Sequence, residues 1–215
     1  RRDRWHGRIW RVAWKDAPPK VRQDLTQVDT NELVELLESD DRYERDQARR
    51  VLTERGTAIR TALRDWMQQP KDDQTKLQVL WLCQATETPV TGLLDDLLQS
   101  EDHRIRAAAT RVLGCWADPH KLPQPYVDFH NLSTQQRFKS LVQDAHPRVR
   151  LEAVRALARH PSLIAAELAL SVLDHPMDRF LEHALFLTVN DLADPLIEAL
   201  QPALGGALPD GGRDR

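Results

Sequence analysis

From Asn31 onward, Val, Leu, Ile and Ala return every three or four residues, the spacing that lines them along one face of an α-helix. The thirteen prolines and eight glycines fall almost wholly between these segments, where a helix begins or ends. The pattern predicts helices over 31–38, 42–55, 58–68, 74–85, 91–99, 103–116, 134–143, 148–159, 163–173, 177–190 and 192–203. Local signals agree. Asp29, Thr30 and Asn31 offer an N-cap to the first helix, Gly56 ends the second, and Pro147, Pro161 and Pro176 stand at helix starts. The stretch Arg8 to Trp14 follows another rule. Trp10, Val12 and Trp14 alternate with period two, as in a β-strand, until Asp16, Ala17, Pro18 and Pro19 stop it.

One unit recurs in the helical part. It reads Arg45-x-x-Ala48-x-x-x-Leu52, then Arg106-x-x-Ala109-x-x-x-Leu113, then Arg150-x-x-Ala153-x-x-x-Leu157. A weaker copy runs from Lys76 through Val79 to Cys83, and a degenerate one surrounds Ala184. The anchors at 48, 79, 109, 153 and 184 are 31, 30, 44 and 31 residues apart, a period near 31 with one inserted loop at 118–131. Helix–turn–helix units stacked side by side have this signature. The physical reason lies in the anchors. A small Ala lets a neighbouring helix approach closely while Leu fills the groove beside it. The preceding Arg is expected in the first turn, reaching Asp41, Asp102 or Asp144 at the turn before it and fixing register.

Composition changes this picture little and charge more. The chain has 215 residues, 41% hydrophobic and 29% charged, with a net charge of −3. Its longest apolar runs are broken by charges such as Glu167 and are too short to span a bilayer. Residues 1–22 carry eight Lys and Arg against Asp3 and Asp16, net +6, which leaves −9 for the remainder. A basic arm thus precedes an acidic body with no further Lys or Arg cluster evident along the sequence, so a nucleic acid is not expected as a partner. The start at Arg1-Arg2-Asp3-Arg4 reads as a piece of a longer polypeptide. The glycine-rich stretch 204–215 reads as a flexible tail.

Catalytic and cofactor motifs are absent. There is no GxSxG, HExxH, P-loop or GxGxxG pattern. Cys83 and Cys115 sit in no CxxC or CxxCH spacing and read as small buried apolar residues. The paired carboxylates Asp40-Asp41, Asp72-Asp73 and Asp95-Asp96 read as partners of helix starts or polar faces. The sharpest chemical candidate is the inserted loop, where Asp118, His120, Asp128 and His130 form two Asp-x-His pairs. Two such pairs converging would suit a divalent metal. The simpler reading is a proline-stiffened loop pinned by Leu122, Tyr126 and Phe129. Trp66, Trp81 and Trp116 fall on successive units and read as packing between them. No catalytic residue and no cofactor is assigned to this chain.

The Arg-x-x-Ala pattern and its period resemble HEAT and HEAT-like repeats over residues 29–203. The resemblance implies a right-handed α-solenoid of about five helix pairs, all-α apart from the strand remnant. A more specific likeness lies in Gly7-Arg8-Ile9-Trp10-Arg11-Val12-Ala13-Trp14-Lys15, the Pro18-Pro19 break, the Leu33-Val34-Glu35-Leu36-Leu37 run, the Arg45 to Gly56 helix and Pro176 to Leu185. These stretches are similar to the middle of large bacterial membrane-bound dehydrogenase-like proteins of the PVC-type haem-binding group. There a sugar-dehydrogenase-like β-propeller comes first, HEAT repeats follow, and a c-type haem domain lies downstream. The resemblance makes residues 1–15 the last strand of the propeller and implies a periplasmic or other extracytoplasmic setting.

Two functions follow as expectations. The first is a non-catalytic scaffold that contacts flanking domains of its own polypeptide, or another protein, without touching a membrane. The second is a HEAT-like enzyme or nucleic-acid-acting module of the DNA glycosylase or bilin lyase type, which the acidic body disfavours. The oligomeric state is not encoded in any pattern of the sequence.

Overall fold

The computed structural model describes residues 22–120 and 127–201, and every described element is helical. The predicted strand at residues 8–14, the basic arm before Arg22 and the tail from residue 204 lie outside the described residues. The α-helices are α1 (Thr30–Glu35), α2 (Arg42–Arg55), α3 (Arg60–Trp66), α4 (Asp73–Ala85), α5 (Thr91–Leu98), α6 (His103–Trp116), α7 (Leu132–Val142), α8 (Pro147–Leu157), α9 (Leu163–Leu170), α10 (Arg179–Asp191) and α11 (Ala193–Leu200). Short 3₁₀ turns extend α1 and α9 and lead into α3, so the predicted 31–38, 58–68 and 163–173 each divide into a helix and a tighter turn.

Helix starts are set by side chains that satisfy otherwise unpaired backbone N–H groups. Asp41 accepts from Tyr43 N at 2.8 Å, Asp72 from Thr75 N at 2.7 Å and Asp102 from Arg104 N at 2.8 Å. Asn131, Ser162 and Asp178 cap α7, α9 and α10 in the same way, and His146 Nδ1 caps α8 with Pro147 at its first position. Asp95 and Asp96 instead lie within α5, where they pair with Arg137 and Lys76. Gly56 takes φ 59°, the left-handed region that lets α2 stop and the chain turn into α3.

The even-numbered helices form a row in which α2, α4, α6, α8 and α10 each touch the next. Odd-numbered helices cover one side of that row, with α5 packed on α4 and α6, α7 on α8, and α9 on α8 and α10. The five anchors Ala48, Val79, Ala109, Ala153 and Ala184 fall one per even-numbered helix and all are buried. Leu52, Leu113 and Leu157, four residues after their alanines, are fully buried, each worth about 1.5–3 kcal/mol as side chain removed from water.

The unit arginines reach the preceding turn but not in the predicted way. Arg45 donates to Ser39 O, Arg106 to Ser100 O at 2.8 Å and Glu101 O at 3.0 Å, and Arg150 to Asp144 O at 2.8 Å and Ala145 O at 3.1 Å. The acceptors are turn carbonyls because the turn carboxylates are already engaged, Asp41 and Asp102 as helix caps and Asp144 by Arg106 and the His146 backbone N–H. A second set of bonds runs forward to the next unit. Arg106 holds Asp144 through two bonds of 2.8 and 3.0 Å, and Arg150 donates to Pro176 O at 3.0 Å. These arginines therefore tie one helix pair to the next.

Candidate binding surface on the even-numbered helices

The inserted loop returns to the body through its second half. Val127 N donates to Trp116 O at 3.1 Å, and Phe129 is buried against Phe138 and His160. Phe129 is thus the expected pin, while Leu122 and Tyr126 lie outside the described residues. Of the four candidate metal ligands, the two aspartates are engaged in local turns. Asp118 accepts from His120 N at 3.0 Å and Asp128 from His130 N at 2.9 Å, so each Asp-x-His pair closes a turn on itself. Asp118 also stands 3.5 Å from Arg159. His120, Asp128 and His130 do line one hollow of about 310 Å³ together with His160. Among the described residues no group of three His, Cys, Asp or Glu is placed to hold an ion.

His160 is the titratable group that sequence reading overlooked. The residue is 5% exposed, its ring stacks on Phe129 at 4.1 Å, and its Nε2 has no hydrogen-bond partner among the described residues. Burial pushes its pKa down to about 4, Asp118 opposes the shift, and the Arg159, His130 and His120 charges add to it. No signal beyond the His-Pro dipeptide marked it.

Trp66 and Trp116 are core side chains, as expected, but Trp81 is only half-buried. Trp81 stands two residues after anchor Val79, and the same repeat position holds Arg50, Arg111, Arg155 and Phe186 in the other even-numbered helices. That position is exposed in four of the five helices and half-buried at Trp81, and so produces a stripe of long side chains along the outer face. In its middle, Trp81 and Gln84 of α4, Arg104 and Arg111 of α6, and Arg148 and Glu152 of α8 line a hollow of about 330 Å³. Arg104 and Arg148 are equivalent as well, each two residues before its unit arginine. The sequence shows no cluster of cations here because Arg111 and Arg148 stand 37 positions apart; only packing of α6 on α8 brings them to one hollow. The repeat alignment, read column by column, contains the signal.

Charge is distributed unevenly along this stripe. Beside the central hollow, Arg49 pairs with Asp46 at 2.7 Å and Arg50 with Glu54 at 3.5 Å. On the other side Arg155 lies 3.6 Å from Glu152. In the centre, Arg104 is held by Asp102 at 2.7 Å, whereas Arg111 and Arg148 have no ion-pair partner among the described residues. Of the two cysteines, Cys83 is buried, which raises its thiol pKa, and Cys115 is half-buried. Among the described residues no helix is long and apolar enough to cross a membrane.

Neither a family model nor a curated protein matches the chain. Among solved structures, an engineered protein from a structural genomics consortium is similar over 82% of this chain and 91% of its own, with a TM-score of 0.42 and 17% identity. At that level the likeness supports no statement of relationship or activity.

Proposed function

We propose that this chain is a non-catalytic HEAT-like scaffold, a right-handed α-solenoid of helix pairs that holds flanking domains or a protein partner in fixed relation. The flanking domains are a dehydrogenase-like propeller before it and a c-type haem domain after it, within one larger polypeptide. The observation that supports this reading is the row of even-numbered helices, each burying the same repeat anchor against the next. A stack of this kind gains stability from every neighbour contact and presents an extended face for docking. The inward-pointing anchor positions hold small or apolar side chains, mostly Ala and Leu with Val79 and Cys83 in one copy, which serve packing.

The test is expression of the polypeptide with its native flanks, followed by measurement of its mass and visible absorption spectrum. A c-type haem spectrum together with a propeller-sized extension is the expected result. A haem-free polypeptide would remove the interdomain role and leave a free-standing scaffold.

A further inference from the structure

We infer that the central hollow on the outer face of α4, α6 and α8 is a docking site for an acidic protein segment, whose carboxylate enters between Arg111 and Arg148 while an adjoining apolar side chain settles on α10. This assignment rests on the scaffold reading and names the chemistry of one partner.

The hollow is shaped for an anion. Three guanidiniums, from Arg104, Arg111 and Arg148, line a space of about 330 Å³ that contains one carboxylate of its own, Glu152. Glu152 pairs with Arg155, and Asp102 with Arg104, so Arg111 and Arg148 form no ion pair among the described residues although Glu152 lines the same hollow. Like charges gathered on one wall repel until an anion enters, and guanidinium groups bind carboxylates through paired, directional N–H donors. Trp81 supplies an aromatic surface at the α4 edge, with Arg49 on a further side of its ring at 5.7 Å.

The two flanks determine what kind of anion fits. Toward α2 the arginines are already paired with Asp46 and Glu54, so the positive potential does not continue. Toward α10 a second, largely apolar hollow of about 350 Å³ is walled by Leu151, Ala158, Phe180 and Leu187 together with the charged or polar Arg155, His183 and Asp191. Phe180 is 60% exposed and Leu187 49% exposed. A nucleic acid carries a charge at every step of its backbone and needs a continuous basic track. This face provides one basic centre beside an apolar step, on a chain whose net charge is −3. A short segment with an Asp or Glu next to a bulky apolar residue matches both parts.

The experiment is to pan a displayed library of random peptides against the whole chain, and to measure the selected peptides by fluorescence anisotropy at low and high salt. Selected sequences should carry Asp or Glu beside a bulky apolar side chain. Their affinity should fall about tenfold or more in R111E/R148E and should weaken with salt. Both arginines are exposed, so circular dichroism should show unchanged helicity; R111Q/R148Q supplies a second variant of milder charge change. Three results would overturn the assignment: selected peptides that lack acids, binding that is indifferent to both variants, or no selected peptide at all. Tighter binding of labelled duplex DNA than of any peptide would also overturn it, in favour of a nucleic-acid partner. Failure here leaves the interdomain role to be judged separately by the absorption spectrum.

Discussion

The α6–α8 joint and the α8–α10 joint use the same helix-on-helix arrangement with different chemistry. At α6–α8 a Cβ built on Gly114 would lie 2.6 Å from Ala156 Cβ, so the helices meet where one has no side chain at all. Arg159 donates to Gly114 O at 3.1 Å, Arg106 clamps Asp144 with both groups mostly buried, and the His103 and His146 rings stack at 3.6 Å. At α8–α10 the unit is degenerate. Leu181 stands where the other copies place Arg or Lys and is fully buried, and Thr188 stands at the position of Leu52, Leu113 and Leu157 and donates to Val154 O at 3.2 Å. Phe186, on the outer stripe, is 63% exposed. The difference separates two roles. The small anchor brings a helix into the row, while the residues around it set how firmly it is held.

The largest effect should come from breaking the polar clamp that only the tighter joint possesses. Arg106→Ala leaves the Asp144 carboxylate mostly buried without its cation and orphans two turn carbonyls. The expected loss is about 3–4 kcal/mol in urea unfolding. An unchanged midpoint would show that the clamp is ornamental to stability.

Acid should loosen the same side of the molecule next. An unfolded histidine takes up its proton near pH 6.5, whereas folded His160 resists until about 4. Stability tied to the neutral ring is therefore complete above about 6.5, declines as pH falls, and is exhausted near 4, amounting to about 3 kcal/mol. Unfolding curves of His160→Leu and the parent chain across that window should diverge, with the variant showing the flatter pH dependence. Parallel curves would refute the burial argument.

Gly114→Ala tests the close approach itself. The new methyl has to displace Ala156, and the overpacking cost should exceed the gain in helix propensity, leaving a net loss of about 1–2 kcal/mol. A stabilised variant would mean that α6 and α8 part easily. The smallest effect is expected at the looser joint, where Phe186→Ser removes an exposed ring and should shift thermal stability by no more than about 0.5 kcal/mol.

Much of the helical framework was legible because its signals are local. Capping aspartates, helix-start prolines and Gly56 act within a turn of their own position, and the spacing of Ala48, Val79, Ala109, Ala153 and Ala184 reports a packed face directly. The candidate site was much less legible. In the Asp-x-His pairs at 118–120 and 128–130 each aspartate accepts the backbone N–H two residues on, a local outcome, whereas the gathering of His120, Asp128 and His130 with His160 around one hollow depends on packing. The acceptors of Arg106 and Arg150 differ from the expected ones for a related reason, since Asp102 is already engaged as a cap and Asp144 by Arg106, while the turn carbonyls beside them accept the guanidinium.

By itself, the sequence determined which segments become helices, where they stop and which residue of each turns inward, because those outcomes depend on periodicity and on groups a few bonds apart. Tertiary structure alone decided what faces what. Arg111 and Arg148 come to line one hollow, Gly114 meets Ala156 and Phe129 meets His160 only after helices distant in the chain have packed. Burial and pairing, which decide whether a charge is quenched or left free to bind, belong to that assembled surface and to no single stretch of residues.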